Sequence, residues 1–181
     1  MYISEQLKKK NIAEYLLYMW QVEDTLRAWR LDADKMAETY IPQFGLDARK
    51  SEELKGWYEN LIQMMREEGV TEKGHLQVNK NILILLTDLH AQLLKSSKHP
   101  FYSAAYYKAL PFIVELRAKS PQSQEKNELE TCFDALYGVM LLRIQKKPVS
   151  SATANAVDHI AKLIGLLSDY YKKDKEGEVE Y

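Results

Sequence analysis

The segment Val78–Leu94 places the strongest limit on how this chain can fold. At its centre, Ile82–Leu86 is an unbroken run of apolar residues. In a helix, such a run places apolar side chains on every side, and a helix of that kind must be enclosed by protein or by lipid. Lys80 and Asp88 lie within about two turns of the run, which excludes a membrane span of roughly 20 apolar residues. The run therefore predicts the buried central helix of a bundle, over about residues 71–96.

The length and the composition are those of one globular domain. A chain of 181 residues is ordinarily a single domain with one sizeable core. Its 46% apolar and 28% charged residues separate it from disordered chains. The formal net charge of -1, with acids and bases interspersed, gives no electrostatic reason to bind nucleic acid or an anionic membrane. We therefore expect no nucleic-acid partner and no membrane partner.

Two further features concern the compartment. The single cysteine, Cys132, excludes an intrachain disulfide and a cysteine-based zinc site. Residues 1–11 contain no apolar segment after their lysines, so they do not have the pattern of a secretory signal. On these grounds we expect a cytoplasmic protein.

Apolar residues recur at three- and four-residue steps along most of the chain, a spacing typical of amphipathic helices. No strand pattern of convincing length is present. The spacing predicts an all-α fold, a single-domain bundle of six or seven helices over residues 1–173, with a charged, frayed tail at residues 174–181. The predicted helices begin near Ser4, Leu31, Ser51, Thr71, Pro100, Pro121 and Ser150 or Ser151.

Individual residues set the predicted boundaries of these helices. The first helix should run without a break from Ser4 to Trp29. Pro111 lies inside the fifth helix and should kink it, because proline removes a backbone hydrogen bond. Ser120 and Pro121 should start the sixth helix, as its cap and first helical residue.

One polar group stands at the margin of the apolar stripe of the first helix. Glu23 and Arg27 are four residues apart with the acid first, which is the favoured order for a helical ion pair, and Trp20 lies close to them. Asp24 lies further from the apolar stripe, towards the side of the helix. One interpretation is a pocket formed by Trp20, Glu23 and Arg27, with His90 of the central helix as a further member. Asn79 and His75 lie one or more turns earlier on the same face of that helix as His90, a face that would suit a polar pocket within the bundle. The other interpretation is a partly buried structural ion pair, with His90 satisfied by a neighbouring side chain or carbonyl.

The remaining candidates for chemistry are weaker. Glu72 and His75 match the Glu-x-x-His spacing of carboxylate-bridged di-iron bundles, but the motif occurs once, whereas such a site needs it twice. The acids of the first helical turns are explained by the helix dipole. Apolar neighbours should raise the pKa of the Cys132 thiol rather than activate it. We therefore identify no catalytic residue, and expect neither a metal nor a cofactor.

Aromatic residues are concentrated in the fifth and the last helix. Tyrosine combines a large apolar body with a polar tip, so these residues suit a core edge or a protein interface. If they form an interface, a symmetric homodimer is the commonest arrangement. The interface candidates are Tyr102, Tyr106, Tyr107, Phe112, Tyr170 and Tyr171.

The start Met1-Tyr2-Ile3 and the run Asn11 to Arg27 resemble a family of short, all-helical bacterial proteins that is described as a domain of unknown function. The similarity is strongest in Tyr15 to Arg27 and in the overall length. This resemblance implies an all-helical fold and a bacterial cytoplasmic setting. It implies no activity, cofactor or catalytic residue.

Two functional hypotheses follow from these observations. The leading one is a non-catalytic helical interaction or structural module that self-associates. It is motivated by the helix-face tyrosines and by the missing catalytic motifs. The alternative is a small-molecule-binding protein, or an unrecognised hydrolase, with its pocket near Trp20, Glu23 and Arg27. Whether the protein is an enzyme stays open, although the sequence favours a non-enzyme.

Overall fold

A computed structural model describes residues 2–119 and 126–180 of the chain. Within these ranges the chain forms eight α-helices and no strand, which confirms the predicted all-α, single-domain fold. A short 3-10 helix, Ile41–Phe44, lies between the third and fourth α-helices. The α-helices are α1 (Tyr2–Lys10), α2 (Ile12–Ala28), α3 (Ala33–Thr39), α4 (Ala48–Glu67), α5 (Gln77–Lys95), α6 (Pro100–Ala118), α7 (Glu128–Ile144) and α8 (Ser151–Lys175).

The prediction of one unbroken helix at the N-terminus is wrong, because Asn11 separates α1 from α2. Its backbone is extended, with φ -154° and ψ 102°, and its side chain accepts the backbone N–H groups of Ala13 and Glu14. An asparagine that satisfies the first free donors of a helix is a strong start signal. Helix α1 therefore ends, and helix α2 begins, within a stretch whose apolar spacing continues past Asn11.

Two other predicted caps differ from the structure, and one is confirmed. The helix expected to start at Ser51 begins at Ala48, because Asp47 accepts the Lys50 N–H and caps it earlier. The helix expected to start at Thr71 begins at Gln77. Of the two predicted alternatives, Ser150 and Ser151, it is Ser150 that caps α8, by accepting the Thr153 N–H. The predicted helix start at Ser120 and Pro121 lies outside the described residues. Helix α6 continues on both sides of Pro111, the residue at which the sequence predicts a kink.

Residues 70–76 form an irregular loop between α4 and α5, which we call the α4–α5 loop. It is bounded by Gly69 at φ 68° and contains Gly74 at φ 86°. Glycine adopts this left-handed region at little cost, so both residues suit a chain that leaves a helix and turns back. The loop covers the buried side of α2 that carries the predicted polar group.

The core lies where α5 and α8 pack against each other and against α2, α6 and α7. Leu86 and Leu93 of α5 meet this core almost without exposure. The enclosure of α5 on every side, however, is a wrong prediction: Ile84 is 54% exposed and Leu85 is 47% exposed. Helix α5 has neighbours on one side, so part of its five-residue apolar run must face outward.

The C-terminal end of the chain keeps contacts with the bundle. Helix α8 extends to Lys175, two residues past the predicted end of the domain. Beyond it, Val179 packs against the core, and the His99 ring lies 3.0 Å from the Glu180 carbonyl oxygen. Over the described ranges, none of the helices has both the length and the apolar character needed to cross a bilayer.

Candidate functional site

The Glu23 carboxylate is the most deeply buried charged group of the described chain, with no exposed surface. Its Oε1 accepts the backbone N–H of Leu76 at 2.9 Å and the side-chain N–H of Asn79 at 2.7 Å. Its Oε2 lies 2.6 Å from Nδ1 of His75. A carboxylate can stay in a protein interior only when hydrogen bonds replace water, and three donors do so here.

His75 contributes both an edge and a face to this cluster. Its Nδ1 points to Glu23, while its ring stacks on Trp20 with centroids 4.1 Å apart and planes inclined by 13°. The Trp20 side chain is buried, whereas the His75 side chain is 31% exposed. His75 is therefore the part of the cluster that borders solvent.

The predicted Glu23–Arg27 ion pair does not form, and this expectation is wrong. Arg27 Nη1 instead donates to Asp24 Oδ1 at 2.8 Å. The other oxygen of Asp24 accepts the hydroxyl of Tyr137 at 2.6 Å. Burial, and then the hydrogen bond to Asp24, raise the pKa of Tyr137 well above its ordinary value. The two neighbouring acids of α2 thus have separate basic partners, His75 for Glu23 and Arg27 for Asp24.

Arg27 also holds the α4–α5 loop. Its Nη2 donates to the carbonyl oxygen of Val70 at 3.0 Å and to that of Gly74. These two carbonyls lie near the two ends of the loop, so one guanidinium fixes both. Arginine suits this role because its planar group presents several donors in fixed directions.

Three buried polar atoms of the cluster have no hydrogen-bond partner within the part of the chain that the structure describes. They are Nε1 of Trp20, Nε of Arg27 and Oδ1 of Asn79. Most buried polar atoms in proteins are paired with protein or with ordered water. The protein groups around Glu23 therefore leave both donor and acceptor capacity unused.

His90, the fourth predicted member of the pocket, belongs to a different cluster. It follows Asn79 by eleven residues on α5, a distance of about 16 Å along the helix axis. Its Nδ1 lies 2.5 Å from the hydroxyl of Tyr102, and its ring contacts that of Tyr106. Burial lowers the pKa of His90. The structure thus places His90 as a histidine satisfied by a neighbouring side chain.

The aromatic interface candidates divide into core and surface residues. Tyr102 has no exposed surface and contacts the half-buried Tyr170, so its assignment to an interface is wrong. Phe112 is half-buried and stacks on His159 at 5.1 Å. The other three candidates comprise half-buried Tyr106 and Tyr171 and exposed Tyr107.

A second apolar face of α6 is exposed to solvent. Five residues between Phe101 and Val114 form this face. They are spaced three, three, four and three residues apart, which places them on one side of the helix. Phe101 is 84% exposed, Tyr107 is 66% exposed and Val114 is 57% exposed. We call this face the outer stripe of α6, and it consists of Phe101, Ala104, Tyr107, Pro111 and Val114.

Other chemical possibilities receive no geometric support from the described ranges. Glu72 and His75 lie in a loop, and His75 turns to Glu23, so the Glu-x-x-His spacing does not place both on one helical face. No group of three or more His, Cys, Asp or Glu side chains among residues 2–119 and 126–180 is arranged to hold a metal ion. Burial raises the pKa of Cys132 to about 12, which disfavours the reactive thiolate.

An open apolar cavity in the N-terminal region is separate from the polar cluster around Glu23. Its volume is about 300 Å³, and it lies between α1, α2 and α4. The lining of this cavity includes none of the four predicted pocket residues, Trp20, Glu23, Arg27 and His90. The lining residues are Tyr2, Ile3, Tyr18, Phe44, Leu46, Lys50, Leu54 and Tyr58.

Sequence reasoning identified Trp20, Glu23 and Arg27 but missed the importance of three of their partners. Asp24 is lateral to the predicted stripe, and Tyr137 is not among the sequence candidates. His75 is weighed as a metal ligand and is placed with Asn79 on the face of His90, not beside Glu23. A local signal for the loop is the pair of glycines at positions 69 and 74, which marks an irregular segment beside His75.

These features define a single-domain, all-helical protein in which a loop covers a buried carboxylate. The chain belongs to the family described as "Domain of unknown function (DUF4924)", whose sequence profile matches residues 1–178. This match confirms the resemblance to a domain of unknown function. No match to the chain was found among curated proteins or among solved structures.

Proposed function

We propose that this protein is a non-catalytic structural or interaction module of the bacterial cytoplasm, and that it self-associates through the outer stripe of α6. The observation that supports the proposal is the continuous exposed apolar face of that helix. The inner face of α6 is already buried through Tyr102, Ala109 and Ile113. A helix that is apolar on both faces needs a second covering surface.

A second copy of the same chain complements the part of this surface around Pro111 and Val114 by charge as well as by hydropathy. Lys108 and Glu115 are seven residues apart, so they flank the stripe on the same side of the helix. In an antiparallel pair of α6 helices, a two-fold axis that passes between Pro111 and Phe112 is equally distant from Lys108 and from Glu115. It therefore places Lys108 opposite the partner's Glu115, and the symmetric pair forms at the same time.

The neighbouring charges are compatible with this arrangement. Glu115 is paired at 2.8 Å with Lys119, the residue that follows α6, and both side chains are more than half exposed. Lys108 is exposed and has no ion-pair partner within residues 2–119 and 126–180. A contact with the partner's Glu115 would supply one. Such rim pairs contribute mainly to the orientation and specificity of the complex.

Sedimentation equilibrium and light scattering over a wide range of protein concentration test the proposal. We expect a dimer for the native chain and a monomer for Val114→Glu, because a charge would be buried within the apolar stripe, close to the proposed two-fold axis. Ile144→Glu is the matched control, since Ile144 is 55% exposed on α7, away from the stripe. A strict monomer at the highest concentration refutes self-association.

Charge reversal tests the geometry of the dimer. Lys108→Glu should raise the dissociation constant by about tenfold, because two attractive contacts become repulsive. The double variant Lys108→Glu/Glu115→Lys should recover the native constant. Lys80→Glu, on exposed α5 surface, is the control for the change in net charge. If the dissociation constant of the double variant is as high as that of Lys108→Glu, the antiparallel arrangement is wrong.

A further inference from the structure

The imidazole of His75 occupies a position with two different recognition elements. The face of Trp20 lies parallel to it at 4.1 Å, and Glu23 Oε2 lies 2.6 Å from its Nδ1. An aromatic face and a carboxylate at the ring edge together suit a flat group that carries N–H donors and a positive charge. In the closed structure, the protein itself supplies this group.

His75 can leave this position without dismantling the rest of the cluster. Its side chain is the partly exposed member, and it belongs to a segment without regular secondary structure. Rotation of the side chain toward solvent leaves the Leu76 N–H and the Asn79 amide on Glu23 Oε1. Oε2 and the Trp20 face would then be free together.

Among the three unpaired buried atoms of the cluster, Asn79 Oδ1 is the one acceptor, and a ligand that donates hydrogen bonds would satisfy it. Asn79 Oδ1 is fully buried and has no partner among the described residues, although the amide nitrogen of the same side chain donates to Glu23 Oε1. The nearby cation, Arg27, is already paired with Asp24 and with the two loop carbonyls. Among the described residues, His75 is therefore the one basic side chain that contacts the Glu23 carboxylate.

We propose that Trp20, Glu23 and Asn79 form a binding site for a planar cationic nitrogen compound, a guanidinium or an amidinium, which displaces the His75 side chain. The flat cation stacks on Trp20 in place of the imidazole. One of its N–H donors binds Glu23 Oε2, and another binds Asn79 Oδ1. His75 acts as an internal competitor that closes the site when no ligand is present. This site is independent of the outer stripe of α6.

Removal of the competing ring provides the sharpest test. In His75→Ala, benzamidine should bind and raise the melting temperature, as measured by calorimetric titration and thermal melts. Benzamide is the matched probe, because it has nearly the same shape but is neutral, and it should not bind measurably. The native protein should bind benzamidine about tenfold more weakly, since the ring and its hydrogen bond must be displaced. Glu72→Ala, an exposed change in the same loop, should behave as the native protein does.

Two further measurements make the result decisive. His75→Ala/Glu23→Gln should lose benzamidine binding if the carboxylate recognises the cation. If His75→Ala does not fold, nuclear magnetic resonance of the native protein with benzamidine replaces it, and the His75 ring signals should move toward those of a solvent-exposed histidine. Equal binding of benzamide, binding that survives Glu23→Gln, or unmoved His75 signals at saturating probe would each overturn the proposal.

The source of such a cation can be distinguished with two probes of shared chemistry. Methylguanidinium represents a free small molecule, and N-acetylargininamide represents an arginine side chain of a peptide. Stronger binding of the first supports a small-molecule ligand, and stronger binding of the second supports a peptide. If His75→Ala binds neither of them, the assignment to planar cations is wrong.

Discussion

Replacement of Glu23 by alanine should destabilise the protein more than the loss of an ordinary ion pair. The carboxylate is wholly buried and accepts hydrogen bonds from Leu76, Asn79 and His75. Alanine leaves the Leu76 N–H and the Asn79 amide without an acceptor, at roughly 1–3 kcal/mol for each buried donor. Removal of a buried charge offsets part of that loss. We expect the free energy of unfolding to fall by about 3–5 kcal/mol, as for other broken buried pairs.

Thermal and urea unfolding measure this change directly. For a chain of this length, the loss corresponds to a melting temperature lower by about 6–20 °C. Glu14→Ala, which removes an exposed glutamate from the same helix, should lower stability by no more than about 1 kcal/mol. Glu23→Gln should fall between the two, because its amide oxygen can still accept the Leu76 N–H. An unchanged melting temperature for Glu23→Ala would refute the assigned burial and hydrogen bonds.

Two other predictions concern groups whose pKa is shifted by burial. Burial lowers the pKa of His90 below its ordinary 6.5, so below that pH the unfolded chain binds the proton first and stability decreases. Denaturant titrations at about pH 7.5 and about pH 5.5 should show a smaller loss for His90→Gln than for the native protein, and equal losses would contradict this reasoning. Burial raises the pKa of Cys132 to about 12, so a thiol reagent at neutral pH should label it only after unfolding. Rapid labelling of the folded protein, followed by mass spectrometry, would show that the thiol is accessible.

The fold was predictable because its information is local and periodic. Apolar residues at helical spacing gave the inward faces of α5 and α8, and a serine gave the start of α8. Boundaries were harder, since several residues in one segment can serve as caps. Asp47 and Ser51 are both suitable, and the structure uses Asp47. Asn11 interrupts a pattern that periodicity alone reads as continuous.

The polar cluster could be predicted only in part, because its contacts join distant positions. Glu23 and Arg27 have the spacing of a helical ion pair, but Glu23 is separated from His75 by 52 residues and from Asn79 by 56. Helical spacing describes which side chains can meet on an isolated helix. It cannot weigh a loop that supplies stronger hydrogen bonds. The apparent partner Arg27 was therefore free to bind Asp24 and the loop carbonyls.

The comparison of α5 with α6 shows why an apolar sequence does not by itself locate the centre of a bundle. Ile82–Leu86 in α5 looks fully apolar because its residues are consecutive, yet Ile84 and Leu85 are exposed. In α6 the outer apolar residues are separated by others, so no run draws attention to them. Their spacing nevertheless places them on one face, opposite the buried Ala109 and Ile113. Because a continuous face can be covered by one partner helix, whereas two adjacent outward residues cannot form such a face, α6 is the better candidate for an interface.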